Sequence, residues 1–231
     1  MASRGFTVLS PGAAYDRYIE NYWNFLLGRD PCNPIFRNTF FMRPCYNYRN
    51  VHSISPSSVH RQNFCGVTSE SCKTSPSRVY SEGTPDTPFL LRGVKEVFIP
   101  VLCTLATDDE VGADGETIPQ LEILRAENDI VTPRDIGATI QVGSGQKEDI
   151  VSNLFEYRRK TASPFILKVS DDSRLADFME FEVSRATTHD RALSEGYFLV
   201  LEFDTPGTYH IEAEGYGVRG YVSLMNYYIQ Y

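Results

Sequence analysis

The sequence predicts a mainly β fold: an antiparallel β-sandwich of jelly-roll type, with an N-terminal helix and a long irregular N-terminal arm. Three observations lead there. The C-terminal third reads as a meander, strand after strand with turn residues between them. Aromatic residues, which suit pleated and half-buried surfaces, are abundant: 14 Tyr, 14 Phe and one Trp. Finally, a single clear N-terminal segment carries aromatic helical periodicity. The division expected is residues 1–88 as helix and arm packed on the core and residues 89–231 as the sandwich core, one structural domain overall. A chain of 231 residues can bury roughly 70% of the surface its unfolded form exposes.

In chain order, residues 13–27 predict the helix, because Tyr15, Tyr18, Ile19, Tyr22, Trp23 and Leu26 recur at three and four and share one face. Gly28 offers the stop, and Pro31 and Pro34 forbid continuation. From residue 30 to about 88 the pattern dissolves into Ser, Asn, Arg, Pro and Cys around apolar islands at Phe36, Phe40, Phe41, Val79 and Tyr80. A loop of that length implies a function, a staple or a partner. Residues 89–91 and 94–105 then form an apolar, β-branched run, in which Pro100 marks a bulge or an edge.

Residues 120–128 show helical spacing at Leu121 and Leu124, and residues 136–142 read as a strand. Residues 150–157 fit a helix or a strand equally, so Arg158, Arg159 and Lys160 read as a solvated helix end, where cations complement the dipole. Another strand spans 164–169. Residues 196–203 form a buried strand, and Thr205-Pro206-Gly207 a turn. Residues 208–214 alternate, Tyr209, Ile211 and Ala213 opposite His210, Glu212 and Glu214. Gly215, Gly217 and Gly220 mark the next turn, and 221–231 the last strand.

Composition excludes some functions. A net charge of −8 argues against nucleic acid as the main partner, which would need a cationic stripe. No apolar run approaches the ~20 residues of a membrane span. The first residues lack the charged, apolar and small-residue regions of a signal peptide. The expectation is a soluble chain, with an extracellular place or a place in an assembled particle only if the start is a processed one.

Cys32, Cys45, Cys65 and Cys72 share one polar stretch, open to free thiols or to two disulfides in three pairings. Their spacing does not suit zinc.

Several segments together resemble a known family. They are Tyr22-Trp23-Asn24-Phe25-Leu26-Leu27, Asp30-Pro31-Cys32-Asn33-Pro34, Val97-Phe98-Ile99-Pro100-Val101-Leu102, Gly196-Tyr197-Phe198 and Pro206-Gly207-Thr208-Tyr209-His210-Ile211. The chain resembles a broad group of microbial proteins, many of them secreted, with a W-x-W-L-L segment, an N-P pair, a K-x-I-F-F-P-V-L strand and a D-G-Y-W … P-G-x-H-x-I hairpin. It departs at Arg92-Gly93-Val94-Lys95, where that group often has V-P-A-G-K, and in lacking a signal peptide. The resemblance implies the sandwich fold and no chemistry.

Candidate sites are few. Asp108, Asp109, Glu110, Asp114 and Glu116 form an acidic stretch that suits calcium, the one cofactor entertained, although it fails the EF-hand pattern. Its plainer reading is a solvated loop. His52, His60, His189 and His210 make no metal or catalytic motif. Cys103, in an apolar strand, reads as an inert core thiol. Gly143-Ser144-Gly145 is a turn rather than a nucleophile elbow. Gly215-Tyr216-Gly217-Val218-Arg219-Gly220 matches G-x-G-x-x-G but has no helix after it, which rules out a dinucleotide loop.

Tyr46, Tyr48, Tyr216, Tyr221, Tyr227 and Tyr228, with Tyr231, are interface or ligand candidates, because tyrosine joins area to a hydroxyl. The leading expectation is a non-enzymatic structural protein that self-assembles into homo-oligomers through its arm and aromatic strand edges. A carbohydrate- or calcium-dependent binding module is the first alternative. An enzyme of unrecognised type, using His189, Asp190 and Cys103, is the second.

Overall fold

The computed structural model describes residues 4–28, 35–43, 45–49, 61–65, 80–106, 132, 134–170, 188–216 and 222–231. In chain order they form β1 (Phe6–Val8), α1 (Ala14–Gly28), β2 (Ile35–Phe36), β3 (Thr39–Phe41), β4 (Cys45–Arg49), β5 (Arg61–Cys65), β6 (Tyr80–Glu82) and β7 (Phe89–Leu90). Then come β8 (Glu96–Ala106), β9 (Ile136–Val142), β10 (Lys147–Asp149), a single 3-10 turn (Leu154–Tyr157), β11 (Arg158–Lys160), β12 (Phe165–Lys168), β13 (Thr188–Phe203), β14 (Thr208–Tyr216) and β15 (Val222–Gln230).

Two sheets result. The first has seven strands in the order β1-β13-β8-β3-β2, with β11 and β12 also on β13. The second has eight, β10-β9-β14-β15-β4-β5, with β6 and β7 also on β15. Val97, Ile99 and Val101 of β8 and Leu199 and Leu201 of β13 share a core cluster with Ile140, Tyr209, Ile211, Tyr227 and Ile229 of the second sheet. The opposite face of the first sheet, Phe98, Cys103, Phe198 and Val200, is covered by Tyr15, Ile19, Tyr22, Trp23 and Leu26 of α1. The molecule is therefore a β-sandwich with a helix on one outer face.

This layering explains the sequence patterns. Along Val97–Leu102 of β8 and Tyr197–Leu201 of β13 both faces are buried, one on the second sheet and one under α1, and these stretches read as apolar runs. Strand β14 is covered on one face only and alternates along its length. At the helix–sheet junction the Phe98 ring lies 5.4 Å from Tyr22, 5.6 Å from Phe41 and 5.5 Å from Phe198. Each such pair adds about 0.5–1.5 kcal/mol beyond area burial.

Polar clips set the helix position. The Trp23 indole N–H donates to Ser194 Oγ at 2.8 Å, and that hydroxyl donates to the Thr104 carbonyl at 2.7 Å. Asn24 donates to the Ile166 carbonyl and accepts from the Lys168 N–H, at 2.8 and 2.9 Å. Gly28 ends the helix against β12, where a Cβ would meet the Lys168 carbonyl oxygen at 2.1 Å.

Three expectations need correction, and one open alternative resolves. The stretch read as an irregular arm supplies β2 to β6, which pair into both sheets. These strands are two to five residues long, too short for alternation to show. Because β3 runs parallel to β8, and β6 and β7 parallel to β15, the sheets are mixed rather than purely antiparallel. Of the two readings Pro100 left open, the structure takes the bulge: on this central strand the register with β13 shifts between Tyr197 and Phe198, skipping Val101. Finally, Arg158–Lys160 is strand β11 and not a helix end.

Pairing explains that last reversal. Arg158 donates from Nε and Nη2 to Glu195 Oε1 at 3.0 and 2.7 Å, and Arg159 bonds Asp16 of α1 at 3.1 Å. The segment 150–157, ambiguous by periodicity, resolves into the 3-10 turn. Residues 108–116 and 120–128 lie outside the described residues.

Edge management is visible in the pairing. Along one side of β13, β12 covers residues 188–192, β11 covers 195–197 and β1 covers 201–203. Along one side of β15, β4 covers 222–224, β6 covers 225–227 and β7 covers 229–230. Short strands laid end to end thus satisfy the long strands' backbone groups and leave little edge for unwanted pairing.

Candidate functional site

A groove opens where β1 meets the segment after β10. Arg4, Phe6, Thr7 and Val8 form one wall, and Ile150, Val151, Ser152, Asn153, Glu156 and Tyr157 the other, around about 420 Å³. The β1 wall is set by its register on β13, with Thr7 opposite Glu202. Phe6 is buried, Thr7 is exposed, and the Thr7 hydroxyl donates to Asp204 at 2.9 Å. Arg4 ties the two walls together. Its guanidinium donates to Glu148 Oε1 at 3.1 Å and to the carbonyls of Asp149 and Ile150 at 2.8 and 3.2 Å, and it lies 4.9 Å from the Phe6 ring centroid.

The opposite wall is shaped by the 3-10 turn. Asn153 caps it, accepting from the Phe155 N–H at 3.2 Å and donating to Glu156 Oε1 at 3.0 Å. Phe155 packs edge-on to Tyr197 at 5.4 Å and so anchors the turn to the first sheet. Burial, with the Glu156 charge adding to it, pushes the Tyr157 hydroxyl above its ordinary value. Tyr157 is therefore a neutral donor and acceptor near pH 7. Among the described residues the lining offers hydroxyl, amide, carboxylate and guanidinium groups beside apolar surface.

The outward face of the second sheet carries a second polar group. His210 and Tyr228, paired across β14 and β15, stack with ring centroids 4.0 Å apart and planes at 6°. His210 Nε2 lies 2.8 Å from Asn226 Oδ1 and 3.4 Å from Glu212 Oε1, and Lys147 pairs with Glu212. Every member of this network already has a partner within it.

The tyrosines anticipated at an interface part company. Tyr216 is 40% exposed and Tyr228 partly buried. Tyr227 is a core residue: it is fully buried, its hydroxyl donates to the Arg43 carbonyl at 3.0 Å, and it is no surface contact. Tyr227 and Tyr228 are neighbours on one strand and so sit on opposite faces, one in the core and one turned outward. Tyr46 and Tyr48 fall on β4, and Tyr221 lies outside the described residues.

The enzymatic trio is not brought together. Cys103 is buried against α1 and pairs in register with Gly196. His189 lies seven positions further along β13, roughly 23 Å at strand rise. Asp108, Asp109, Glu110, Asp114, Glu116, His52, His60, Cys32 and Cys72 lie outside the described residues. Among the described residues no group of three His, Cys, Asp or Glu is placed to hold a metal, and no helix is long and apolar enough to cross a membrane.

Sequence reasoning missed the groove entirely. Its walls come from residues 4–8 and 150–157, far apart in the chain, and only the Asn153-x-x-Glu156 capping pattern signalled it locally. The chain matches no family model, no curated protein and no solved structure.

Proposed function

We propose that the protein is a non-catalytic binding module that takes a polyhydroxylated ligand, a carbohydrate, in the groove between β1 and residues 150–157. The observation that carries this reading is the make-up of the lining. Apolar Phe6, Val8, Ile150 and Val151 lie beside the hydroxyls of Thr7, Ser152 and Tyr157, the Asn153 amide and the Glu156 carboxylate. A sugar ring offers the matching chemistry, with C–H faces for apolar contact and hydroxyls that both donate and accept. The volume falls within the roughly 300–1,000 Å³ of ligand clefts.

Screening the intact chain against a glycan array, then measuring hits by calorimetry, tests the reading. Tyr157→Phe and Glu156→Gln should each weaken a genuine hit about tenfold, the loss of one hydrogen bond to a bound ligand. No hit on the array, or hits indifferent to both substitutions, would sink it.

One observation favours a second reading, self-assembly through the arm. Segments of residues 35–82 add as strands to the edges of β8 and β15, a mode of pairing equally open to the arm of a second copy. Light scattering after gel filtration of the intact chain decides it. A monomer across a wide concentration range would end this reading. Removing residues 1–88 is not a usable control, because it strips α1 from Phe98, Phe198 and Val200.

A further inference from the structure

We propose that Cys45 and Cys65 form a disulfide that staples the β4–β5 hairpin to itself at the rim of the second sheet. The register carries the inference. Strands β4 and β5 run antiparallel with Cys45 directly opposite Cys65, and the ladder continues in step to Arg49 opposite Arg61. Directly opposed residues of an antiparallel pair have Cα atoms about 4.5–5.5 Å apart, inside the 4.4–6.8 Å that a disulfide spans. Of the three pairings the sequence leaves open for four cysteines, the one joining Cys45 to Cys65 needs no backbone rearrangement.

The place of the pair gives the bond a role. Among the described residues β5 pairs with β4, and β4 joins the sheet through Val222, Ser223 and Leu224 of β15. Residues 50–60 separate the two strands in the chain, a longer connection than the two-residue turns that fix a hairpin's register. Cys45 and Cys65 sit at its open end, where fraying would begin. A bond there encloses residues 46–64 and restricts the unfolded hairpin as much as its length allows.

Formation is thiol–disulfide exchange with a small disulfide, oxidised glutathione. One cysteine thiolate attacks a glutathione sulfur and expels a glutathione thiolate. The second thiolate attacks the mixed disulfide and expels the other. Two protein thiols are oxidised and one glutathione disulfide is reduced to two thiols, which take up, through solvent, the two protons the protein thiols give up.

Peptide mapping of the full chain tests this. The protein is equilibrated in a glutathione buffer, alkylated with iodoacetamide without reduction, and digested with trypsin plus a glutamate-specific protease. Cleavage after Glu70 separates Cys65 from Cys72, which trypsin alone leaves on one peptide. The expected product is fragment 38–49 joined to fragment 62–70, lost on reduction. Alkylated Cys45 or Cys65, or Cys45 joined to a fragment bearing Cys32 or Cys72, overturns the proposal. C45S and C65S should each lower the thermal midpoint by the amount that reducing the native chain does, roughly 5–10 °C, with no further drop in the double variant. Unequal shifts count against it.

Discussion

Replacing Gly196 by alanine tests the close backbone approach of β13 to β8. An added Cβ would lie 2.3 Å from the Leu102 carbonyl oxygen, 2.6 Å from Cys103 Cα and 2.7 Å from Cys103 Cβ. Those atoms belong to β8, which is packed on one side by the second sheet and on the other by α1, so they cannot retreat without disturbing both cores. Inserting a methyl into a well-packed interior costs typically 1–3 kcal/mol. Because the clash is with backbone, the expected loss lies at the upper end, about 3 kcal/mol. Gly137→Ala is the control: its nearest neighbour would be Glu214 Cγ at 3.5 Å, ordinary contact. That substitution should be neutral or stabilise by up to about 1 kcal/mol through the unfolded chain. Urea unfolding followed by fluorescence of the single, buried Trp23 reads both. With a slope near 3 kcal/mol/M, Gly196→Ala should lower the midpoint by about 1 M. A Gly196→Ala midpoint equal to wild type, or equal losses in both variants, would refute the close-approach argument.

Three further outcomes follow from the same contacts. Ser194→Ala removes the acceptor of the buried Trp23 N–H and the donor to the Thr104 carbonyl; a loss of about 1–3 kcal/mol is expected, with a shifted Trp emission maximum. Arg158→Ala leaves the Glu195 carboxylate, 5% exposed, without its bidentate partner. The expected cost is about 2 kcal/mol by urea unfolding, below the 3–5 of a wholly buried pair because Arg158 is partly exposed, and Arg158→Lys should recover some of it.

The third outcome concerns alkaline pH. Burial raises the Tyr15 hydroxyl well above its ordinary value, and burial with a Glu96 hydrogen bond pushes Tyr18 up to about 12. Below pH 10 both groups are protonated in folded and unfolded chain alike, and neither makes stability depend on pH. Above it the unfolded chain loses protons that the folded chain keeps, so stability should fall as pH rises from 10 through 12. Urea midpoints flat across that window would contradict the burial of these two hydroxyls beneath α1.

Periodicity was legible wherever a segment is long and its burial simple. The three- and four-residue spacing of Tyr15, Ile19, Tyr22 and Trp23 marked α1, and β14 announced its single buried face by alternation. The apolar run over residues 94–105 and the stretch 196–203 were legible as strands, and the helix layer over Phe98 and Phe198 supplies the reason both faces are apolar there. Pro100 correctly pointed to a bulge, since a residue without an N–H cannot continue a regular ladder.

Tertiary structure alone decided what depends on distant partners. Strands as short as Thr39–Phe41 or Tyr80–Glu82 carry too few residues for a pattern and exist because β8 and β15 offer them an edge. Arg158–Lys160 pairs as a strand with β13 while Glu195 and Asp16 take the charges of Arg158 and Arg159, and nothing local to that triplet encodes either carboxylate. The groove, the burial of Tyr227 and the facing of Cys45 and Cys65 arise likewise from register between segments far apart in the chain. Local sequence sets the propensity of each element; the free energy that assigns neighbours comes from the surfaces they bury together.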